Sequence, residues 1–235
     1  MKKTVLITGA SRGIGKSIAH ALAKKQFELL LWSRSLEDLK IVQEECEIFG
    51  IKAKYATVDV ANPESIHTAG SESLSHISSL NGLIINAGVG EWAPFDKTSL
   101  SDFKWMLDVN LVGAFSSIQL ALPLLRLSPY SRLVVLGSDS SEFGFKNRTA
   151  YCSSKWGLYG LVEALRKEIR EEKINITHVM MSRVDTYFRN QVPGDRKDAL
   201  LPEHVAEVIA FLFSAPDVLE IRELKISSIH SPYGC

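Results

Sequence analysis

The sequence predicts a single α/β domain built around a doubly wound, seven-stranded parallel sheet. First, segments typical of strands alternate with segments typical of helices along the chain. Second, the strand segments are nearly continuous apolar runs, such as Leu29-Leu30-Leu31-Trp32, which is typical of parallel strands covered on both faces. Third, a glycine-rich turn joins the first strand to the first helix. In such sheets, ligands bind at the carboxyl ends of the strands.

The elements follow one another without a repeat or a linker. Predicted strands cover residues 3–8, 27–33, 52–58, 82–86, 131–137, 174–180 and 221–227. Predicted helices cover residues 13–25, 35–48, 63–79, 99–127, 149–172 and 202–214. Each strand–helix–strand unit is expected to cross over with a right hand. The pattern therefore predicts one domain that spans residues 1–235.

Composition excludes several classes of function. The 235 residues include 27 basic and 27 acidic side chains, so the formal net charge is zero and neither nucleic acid nor an anionic membrane is an expected partner. No apolar run approaches the ~20 residues of a membrane span. The three cysteines and six histidines show no metal or redox spacing. We therefore expect no metal site and free thiols in a cytoplasmic protein.

The first turn has the form of a phosphate-binding loop. The apolar run Val5-Leu6-Ile7 leads into Thr8-Gly9-Ala10-Ser11-Arg12-Gly13-Ile14-Gly15, and a helical pattern follows. Small residues let the backbone approach a pyrophosphate, and a helix N-terminus offers free N–H groups and a favourable dipole. The alternative is a tight turn that needs glycine only for positive φ.

A second pattern indicates proton transfer. Tyr151 and Lys155 are four residues apart, so a helix places them on one face, and Ser138 precedes the tyrosine by thirteen residues. An ammonium group beside the phenol is expected to lower its pKa from about 10, which would make it an acid or base near neutral pH. Taken alone, the pair is better explained as a half-buried tyrosine beside a surface lysine.

The chain resembles the short-chain dehydrogenase/reductase family, whose fold is of the Rossmann type, over about residues 3–228. The motifs that carry the resemblance occur in the family's order: Thr8-Gly9-x-x-x-Gly13-x-Gly15, Asp59-Val60, Asn86-Ala87-Gly88, Asn110, Ser138 and Tyr151-x-x-x-Lys155. The short lid and the start of the last helix, at Leu201-Pro202-Glu203, are similar to the sepiapterin reductase branch.

The resemblance implies a catalytic set of Asn110, Ser138, Tyr151 and Lys155. In that set Tyr151 exchanges a proton with a carbonyl or alcohol oxygen while hydride moves to or from a nicotinamide. Lys155 binds the nicotinamide ribose and tunes the tyrosine, and Ser138 orients the substrate oxygen. Asn110 holds a water through its backbone carbonyl.

The resemblance also implies a cofactor site. Its residues would be Thr8, Gly9, Ser11, Arg12, Gly13, Ile14, Gly15, Ser33, Arg34, Asp59, Val60, Asn86, Ala87, Gly88, Tyr151, Lys155, Val184 and Thr186. Ser33 stands where an acidic residue would select NAD(H), and Arg12 and Arg34 can bind a 2′-phosphate. The expected cofactor is therefore NADP(H). The alternative is that both arginines are solvated surface charges.

The chain departs from the family after the sixth strand and at its end. Ser182-Arg183 stands where the family carries Pro-Gly, and residues 230–235 replace a glycine-rich ending. Arg183 is expected to bind an anionic substrate group, pair with Asp185 or point outward. A short lid covers about residues 186–201. Candidate residues lining the substrate site are Glu91, Trp92, Asp139, Phe143, Phe145, Tyr187 and Phe188.

Three functions remain open from the sequence. The favoured one is an NADP(H)-dependent carbonyl reductase or alcohol dehydrogenase acting on a small molecule. The others are a cofactor-binding but catalytically silent scaffold or sensor, and an epimerase or dehydratase on the same scaffold. Helices 99–127 and 149–172 carry more apolar surface than one sheet face needs, so a homo-oligomer, a dimer or tetramer, is expected.

Overall fold

The computed structural model describes residues 3–230; residues 1–2 and the altered ending at 231–235 lie outside the described part. The strands are β1 (Thr4–Thr8), β2 (Glu28–Ser33), β3 (Ala53–Thr57), β4 (Gly82–Ile85), β5 (Ser131–Leu136), β6 (Ile174–Met181) and β7 (Glu223–Ile226). The helices are α1 (Gly13–Lys24), α2 (Leu36–Glu47), α3 (Pro63–Ser65, Ile66–Gly70 and Ser71–Leu74), α4 (Leu100–Leu107, Asp108–Val112 and Gly113–Arg126), α5 (Thr149–Glu168) and α6 (Pro202–Ser214). Short 3₁₀ turns lie at Phe95–Lys97, Asp139–Ser141 and Phe188–Asn190.

The sheet confirms the predicted fold class. Its seven strands run in the order β3-β2-β1-β4-β5-β6-β7, and every neighbouring pair is parallel. The order reverses between β1 and β4, where the chain returns from the β3 edge to the centre of the sheet. At such a switch point the loops after the two strands diverge and leave a crevice above their carboxyl ends.

Both faces of the sheet are buried, as the continuous apolar strands predict. Alternate residues point to opposite faces, so Ile7 packs in one core with α1, α2 and α6, whereas Leu6 packs in the other with α3, α4 and α5. On β5, Val134 lies in the same core as Ile7, and Leu133 lies in the same core as Leu6. Two cores of this kind hold the strand ends, and therefore the crevice, in place.

The helix between β3 and β4 is shorter than predicted. The sequence predicts a helix over 63–79, but α3 ends at Leu74, and Ser75 and Ile77 close it with turn hydrogen bonds. The following segment contains Ser75, Ser78 and Ser79, whose hydroxyls compete for backbone hydrogen bonds. Helix α5 likewise ends at Glu168 rather than at residue 172.

Two helices contain wide turns that the sequence does not predict. Residues Ile66–Gly70 of α3 and Asp108–Val112 of α4 are π-helical. Such segments are rare and occur frequently at functional sites. The second one contains Asn110, a predicted site residue.

Within the described chain, one helical stretch is long and apolar enough to cross a membrane: Leu100–Arg126, which is α4. The core helix of a globular protein meets the same criterion. Ala114, Ile118, Ala121 and Leu125 of this helix are buried in the core beneath the sheet. Packing within the domain accounts for the apolar composition of this face.

Candidate active site

The glycine-rich turn forms a close-packed backbone cradle. Gly9 has φ +66°, and a Cβ there would lie 2.9 Å from the Cα of Ala87. A Cβ on Gly15 would lie 2.1 Å from the carbonyl oxygen of Gly9. Position 9 therefore requires glycine for its positive φ and for space, whereas position 15 requires glycine for space alone. Ile14, inside the turn, packs against the core that contains α1.

The turn is fastened to the end of β4 by two side chains. The Thr8 hydroxyl accepts hydrogen bonds from the backbone N–H groups of Asn86, at 3.0 Å, and of Ala87, at 3.1 Å. The amide of Asn86 donates to the carbonyl oxygens of Thr8 and Gly9, both at 2.9 Å. These bonds join the loops on the two sides of the switch point into one rigid wall.

Hydroxyl and guanidinium groups meet at the end of β2. The hydroxyl of Ser33 donates to that of Ser11 at 2.7 Å, so the second strand and the glycine turn present neighbouring hydroxyls. Arg34 is exposed beside them. Arg12 is also exposed, and its guanidinium lies 5.9 Å from the centre of the Tyr187 ring.

The remaining predicted cofactor residues border the same crevice. Asp59 follows β3, and its carboxylate accepts the backbone N–H of Ala61 at 3.0 Å. Val60 is buried where α4 passes, since a Cβ on Gly113 would lie 2.4 Å from the Val60 carbonyl oxygen. A Cβ on Gly88 would lie 3.4 Å from Asn110 Oδ1 and 3.7 Å from Lys155 Nζ. This glycine therefore joins the cofactor wall to the predicted catalytic set.

The chain after β6 reaches back to the glycine turn. Val184 forms an isolated parallel bridge with Leu200, which fixes the base of the lid. Thr186 is buried, and its side chain lies 3.4 Å from the Cβ position of Gly13. Both predicted residues therefore lie where the lid meets the phosphate loop.

Asn110 is a buried cross-link between three segments. Its Oδ1 accepts the N–H of Val89 at 2.8 Å, and its Nδ2 donates to the Val89 carbonyl at 2.8 Å and to Ser154 Oγ at 2.9 Å. The side chain is thus engaged in holding α4, α5 and the chain after β4 together. Both donors of its amide group are therefore used within the protein.

Ser138, Tyr151 and Lys155 converge above the end of β5. All three are buried, and Lys155 Nζ lies 5.9 Å from the centre of the Tyr151 ring. Lys155 donates to the carbonyl oxygen of Leu136 at 3.1 Å. Ser138 begins the turn Asp139–Ser141, and its hydroxyl donates to the Asp139 carboxylate at 2.7 Å.

The prediction that Lys155 lowers the pKa of Tyr151 is wrong for this structure. Burial raises the pKa of the Tyr151 phenol above its ordinary value, and the nearby Ser138 hydroxyl offsets only part of that effect. Burial also lowers the pKa of the Lys155 ammonium to about 8. The cause is the same for both groups, because a low-dielectric site disfavours whichever form is charged. The phenol is therefore neutral and can donate a proton at neutral pH.

Arg183 pairs with the lid. Its guanidinium donates to Asp198 Oδ2 at 2.8 Å. Asp185 instead pairs with Arg196, whose Nε lies 3.2 Å from Asp185 Oδ1. Arg196 also donates to the carbonyl oxygens of Val184 and Thr186. Of the expectations for Arg183, pairing with Asp185 is therefore wrong. Arg183, one of the residues that departs from the family sequence, therefore helps to hold the lid in place through Asp198.

An aromatic cluster covers the predicted acid. The Trp92 ring lies 4.8 Å from the Tyr151 ring, and the Phe188 ring lies 5.9 Å from it. Asp139 contacts Ser138, as described above, whereas Phe143 and Tyr187 are largely exposed. The structure therefore brings only part of the predicted lining set to the tyrosine.

Sequence reasoning missed two arginines in this cluster. The guanidinium carbon of Arg148 lies 4.7 Å from the Trp92 ring centre, and that of Arg189 lies 4.5 Å from it. Arg148 lies three residues before Tyr151, at the N-cap of α5, and this closeness in sequence is a signal that could have pointed to it. Arg189 comes from a distant loop, and no local pattern marks it.

Comparison with known proteins places this geometry among enzymes. The family model described as short chain dehydrogenase matches residues 3–197. A sepiapterin reductase from Chlorobaculum tepidum is 28% identical over 232 residues, which cover 95% of each chain. A 3-oxoacyl-acyl-carrier-protein reductase from Aquifex aeolicus is 30% identical over 90% of each chain.

Solved structures agree with the sequence comparisons. An alcohol dehydrogenase from the archaeon Thermococcus sibiricus, complexed with 5-hydroxy-NADP, superposes with a TM-score of 0.95 at 29% identity, over 100% of both chains. A metagenomic short-chain oxidoreductase in complex with NADP gives a TM-score of 0.82 at 25% identity, over 96% of this chain and 97% of that one.

Proposed function

The chain belongs to the short chain dehydrogenase family of oxidoreductases, and we propose that it is an NADP(H)-dependent reductase of a small carbonyl compound. The observation that carries the proposal is the convergence of a neutral, buried Tyr151 with Ser138 and Lys155 at the edge of a glycine-walled crevice. Reversal of the same reaction would oxidise an alcohol.

The crevice fits a dinucleotide. A side chain at Gly9 or Gly15 would clash with neighbouring atoms, so the glycine turn is bare backbone. Helix α1 begins at this turn and presents its N-terminus there. The Ser11 and Ser33 hydroxyls lie side by side at the end of β2. Arg12 and Arg34 supply positive charge at that end, and the site residues there include no carboxylate that would repel a 2′-phosphate. The related structures that hold NADP and 5-hydroxy-NADP support the same choice of cofactor.

The catalytic residues divide the work. When bound, the reduced nicotinamide supplies the hydride. Tyr151 donates its phenolic proton to the carbonyl oxygen, since the phenol is protonated at neutral pH. Ser138 would hold the same oxygen once its hydroxyl turns away from the Asp139 carboxylate, to which it donates in the free protein.

Lys155 and Asn110 support the tyrosine. The ammonium of Lys155 lies 3.7 Å from the Cβ position of Gly88 in the cofactor wall and would hold the ribose hydroxyls of a bound nicotinamide nucleotide. The side chain of Asn110 is taken up by Val89 and Ser154, so Asn110 would act through its backbone carbonyl. That carbonyl lies in the π-helical turn Asp108–Val112 and would hold a water that returns protons to Lys155.

The direct test is a panel of aldehydes and ketones incubated with NADPH, with the loss of NADPH absorbance as the readout. We expect oxidation of NADPH with at least one member. Nucleotide binding without any turnover would favour the silent scaffold. Turnover of substrate without net loss of NADPH would favour an epimerase or dehydratase.

We further propose a cytoplasmic homo-oligomer. Phe115 on α4 and Trp156 on α5 are about half exposed, and a hollow of about 420 Å³ lined by Phe145, Cys152 and Trp156 adjoins them. A second copy docked on α4 and α5 would bury these side chains. Light scattering should give a dimer or tetramer at micromolar concentration, and a stable 26.1 kDa monomer would contradict it.

A further inference from the structure

Two positive charges flank one aromatic ring at the mouth of the candidate active site. Arg148 and Arg189 each place a guanidinium within cation–π distance of Trp92, at 4.7 and 4.5 Å from the ring centre. Trp92 in turn lies against Tyr151, at 4.8 Å between ring centres. The two cations are therefore one side chain away from the proposed proton donor.

Neither guanidinium has its hydrogen-bonding capacity used within residues 3–230. Among the described residues, Arg148 forms no ion pair or side-chain hydrogen bond, although its guanidinium also lies 4.6 Å from the centre of the Phe145 ring. The nearest carboxylate to Arg189 is Glu91, at 3.8 Å, which is too far for a hydrogen bond. The Nε of Arg189 is buried and has no partner among the described residues.

Other partly buried arginines of the chain use more of their donors. Arg132 donates to the carbonyl oxygens of Ala215, Pro216 and Leu219. Arg196 has Asp185 and two carbonyl oxygens, as described above. Arg166 also has a buried Nε without a partner among the described residues, but its other nitrogens donate to Glu163 and to two carbonyl oxygens. Arg148 and Arg189 therefore differ from these arginines in how many donors they leave unused.

The backbone holds Arg189 in an unfavourable conformation. Its φ and ψ are +61° and +39°, in the left-handed region that non-glycine residues seldom adopt. Burial lowers the pKa of Arg189, Glu91 raises it, and the neighbouring Arg148 and Arg196 lower it further. Strain and charge repulsion are thus both tolerated at this point. Features of this kind cluster at ligand-binding sites.

Two of the local cations have a carboxylate beside them. Asp185 neutralises Arg196, and Glu91 lies beside Arg189. The carboxylate of Asp139 keeps its charge on the other side of the site, where it accepts from the hydroxyl of Ser138 and the backbone N–H of Ser140. Among the described residues, no carboxylate forms an ion pair with Arg148.

We propose that Arg148 and Arg189 bind a carboxylate on the substrate, which rests on the proposed function and narrows its substrate class to carbonyl compounds that carry a carboxylate. A guanidinium stacked on an aromatic face keeps its N–H edges free for a planar, bidentate partner. Trp92 fixes both guanidinium groups next to Tyr151. The carboxylate then places the carbonyl oxygen against the phenol.

The test compares acids with their methyl esters. Glyoxylate, succinic semialdehyde and 4-formylbenzoate vary the spacing between carbonyl and carboxylate, and each methyl ester presents the same carbonyl without the charge. NADPH oxidation gives kcat/KM for each member. We expect the wild type to prefer at least one acid over its ester, and Arg148→Gln and Arg189→Gln each to reduce that preference by roughly 10- to 100-fold. Lys146→Gln, an exposed cation on the same loop as Arg148, should leave the preference unchanged.

A binding measurement separates this inference from the proposed function. Benzoate is titrated calorimetrically into the protein in the presence of NADPH, for the wild type and all three variants. Saturable binding that Arg148→Gln and Arg189→Gln weaken, and Lys146→Gln does not, supports the carboxylate site even if no carbonyl is reduced, in which case the proposed function alone fails. Reduction of esters as readily as acids, with no benzoate binding, overturns the inference and leaves the proposed function standing.

Discussion

The two halves of the crevice are built from different materials. The cofactor half comprises the loops after β1 to β4, at residues 8–15, 33–34, 59–60 and 86–88, and it consists mainly of backbone, glycines and small polar side chains. The substrate half comprises residues 89–93, 138–148 and 184–200, and it consists of aromatic rings and arginines contributed by separate loops. Tyr151 and Lys155 lie between the two.

The difference follows from what each half has to contact. A pyrophosphate is bound by backbone N–H groups, so the chain must approach it closely, and only a few residue types at set spacings allow this. A substrate is bound by the ends of side chains, which many loop sequences can supply. The first half is therefore restricted to a few residue types, whereas the second can be built from many.

The largest expected effect is on turnover, and it comes from Tyr151, which lies between the cofactor half and the substrate half. Tyr151→Phe keeps the ring that packs on Trp92 and removes only the transferable proton. We expect turnover to fall by about 10²–10⁴-fold, the usual contribution of a positioned general acid. Binding of NADPH, measured by fluorescence titration, should be nearly unchanged. Wild-type turnover in the variant would refute the assignment of the acid.

The next effect tests the charge at the cofactor half. With Arg12 and Arg34 beside the paired hydroxyls of Ser11 and Ser33, NADPH should bind more tightly than NADH by roughly 2–4 kcal/mol, on the scale of charge-assisted hydrogen bonds. Arg34→Asp should reverse the preference. Lys40→Asp makes the same charge change at an exposed position of α2 and should not. Equal affinities in the wild type would show that the arginines are only surface charges.

A glycine pair tests whether the cofactor half depends on close backbone approach. The Cβ of Gly15→Ala would lie 2.1 Å from the Gly9 carbonyl oxygen, so we expect a loss of about 1–3 kcal/mol in the free energy of unfolding and weaker NADPH binding. Gly160→Ala in α5 meets open space and should stabilise the helix by about 0.5–1 kcal/mol. Urea denaturation measures both. Equal stability of the two variants would argue against a rigid cradle.

The smallest effect is a pH dependence at the boundary. Because burial lowers the pKa of Lys155 to about 8, the ammonium is present below that pH and is lost as the pH rises through it. If the ammonium holds the cofactor ribose, the affinity for NADPH should fall by up to about tenfold for one pH unit above the pKa. Lys155→Met should bind NADPH weakly at every pH and show no such fall. A flat wild-type profile from about pH 7 to about pH 9.5 would show that the charge is not used.

The same contrast explains what the sequence could predict. The sheet, its order of elements and the cofactor half follow from apolar runs, glycines at fixed spacing and the Thr8 and Asn86 motifs. The π-helical turn around Asn110 and the early end of α3 depend on packing against other elements. Nothing local to Arg189 shows that its loop folds back on Trp92.

The sign of the Tyr151 pKa shift could not be predicted for the same reason. The spacing to Lys155 places an ammonium nearby, but the shift depends on how deeply the phenol is buried. Trp92 and Phe188, which cover it, belong to two other loops. Desolvation sets the direction of the shift, and only the tertiary structure shows it.

The most direct test of the account is the destination of the transferred hydride. The protein is supplied with NADPH deuterated at one or the other face of the nicotinamide C4, together with a carbonyl compound that it reduces, and the product is analysed by mass spectrometry. One face only should deliver one deuterium to the former carbonyl carbon, because the crevice holds the ring in one orientation, and Tyr151→Phe should form little product. Product without deuterium from either face would contradict hydride transfer at this site.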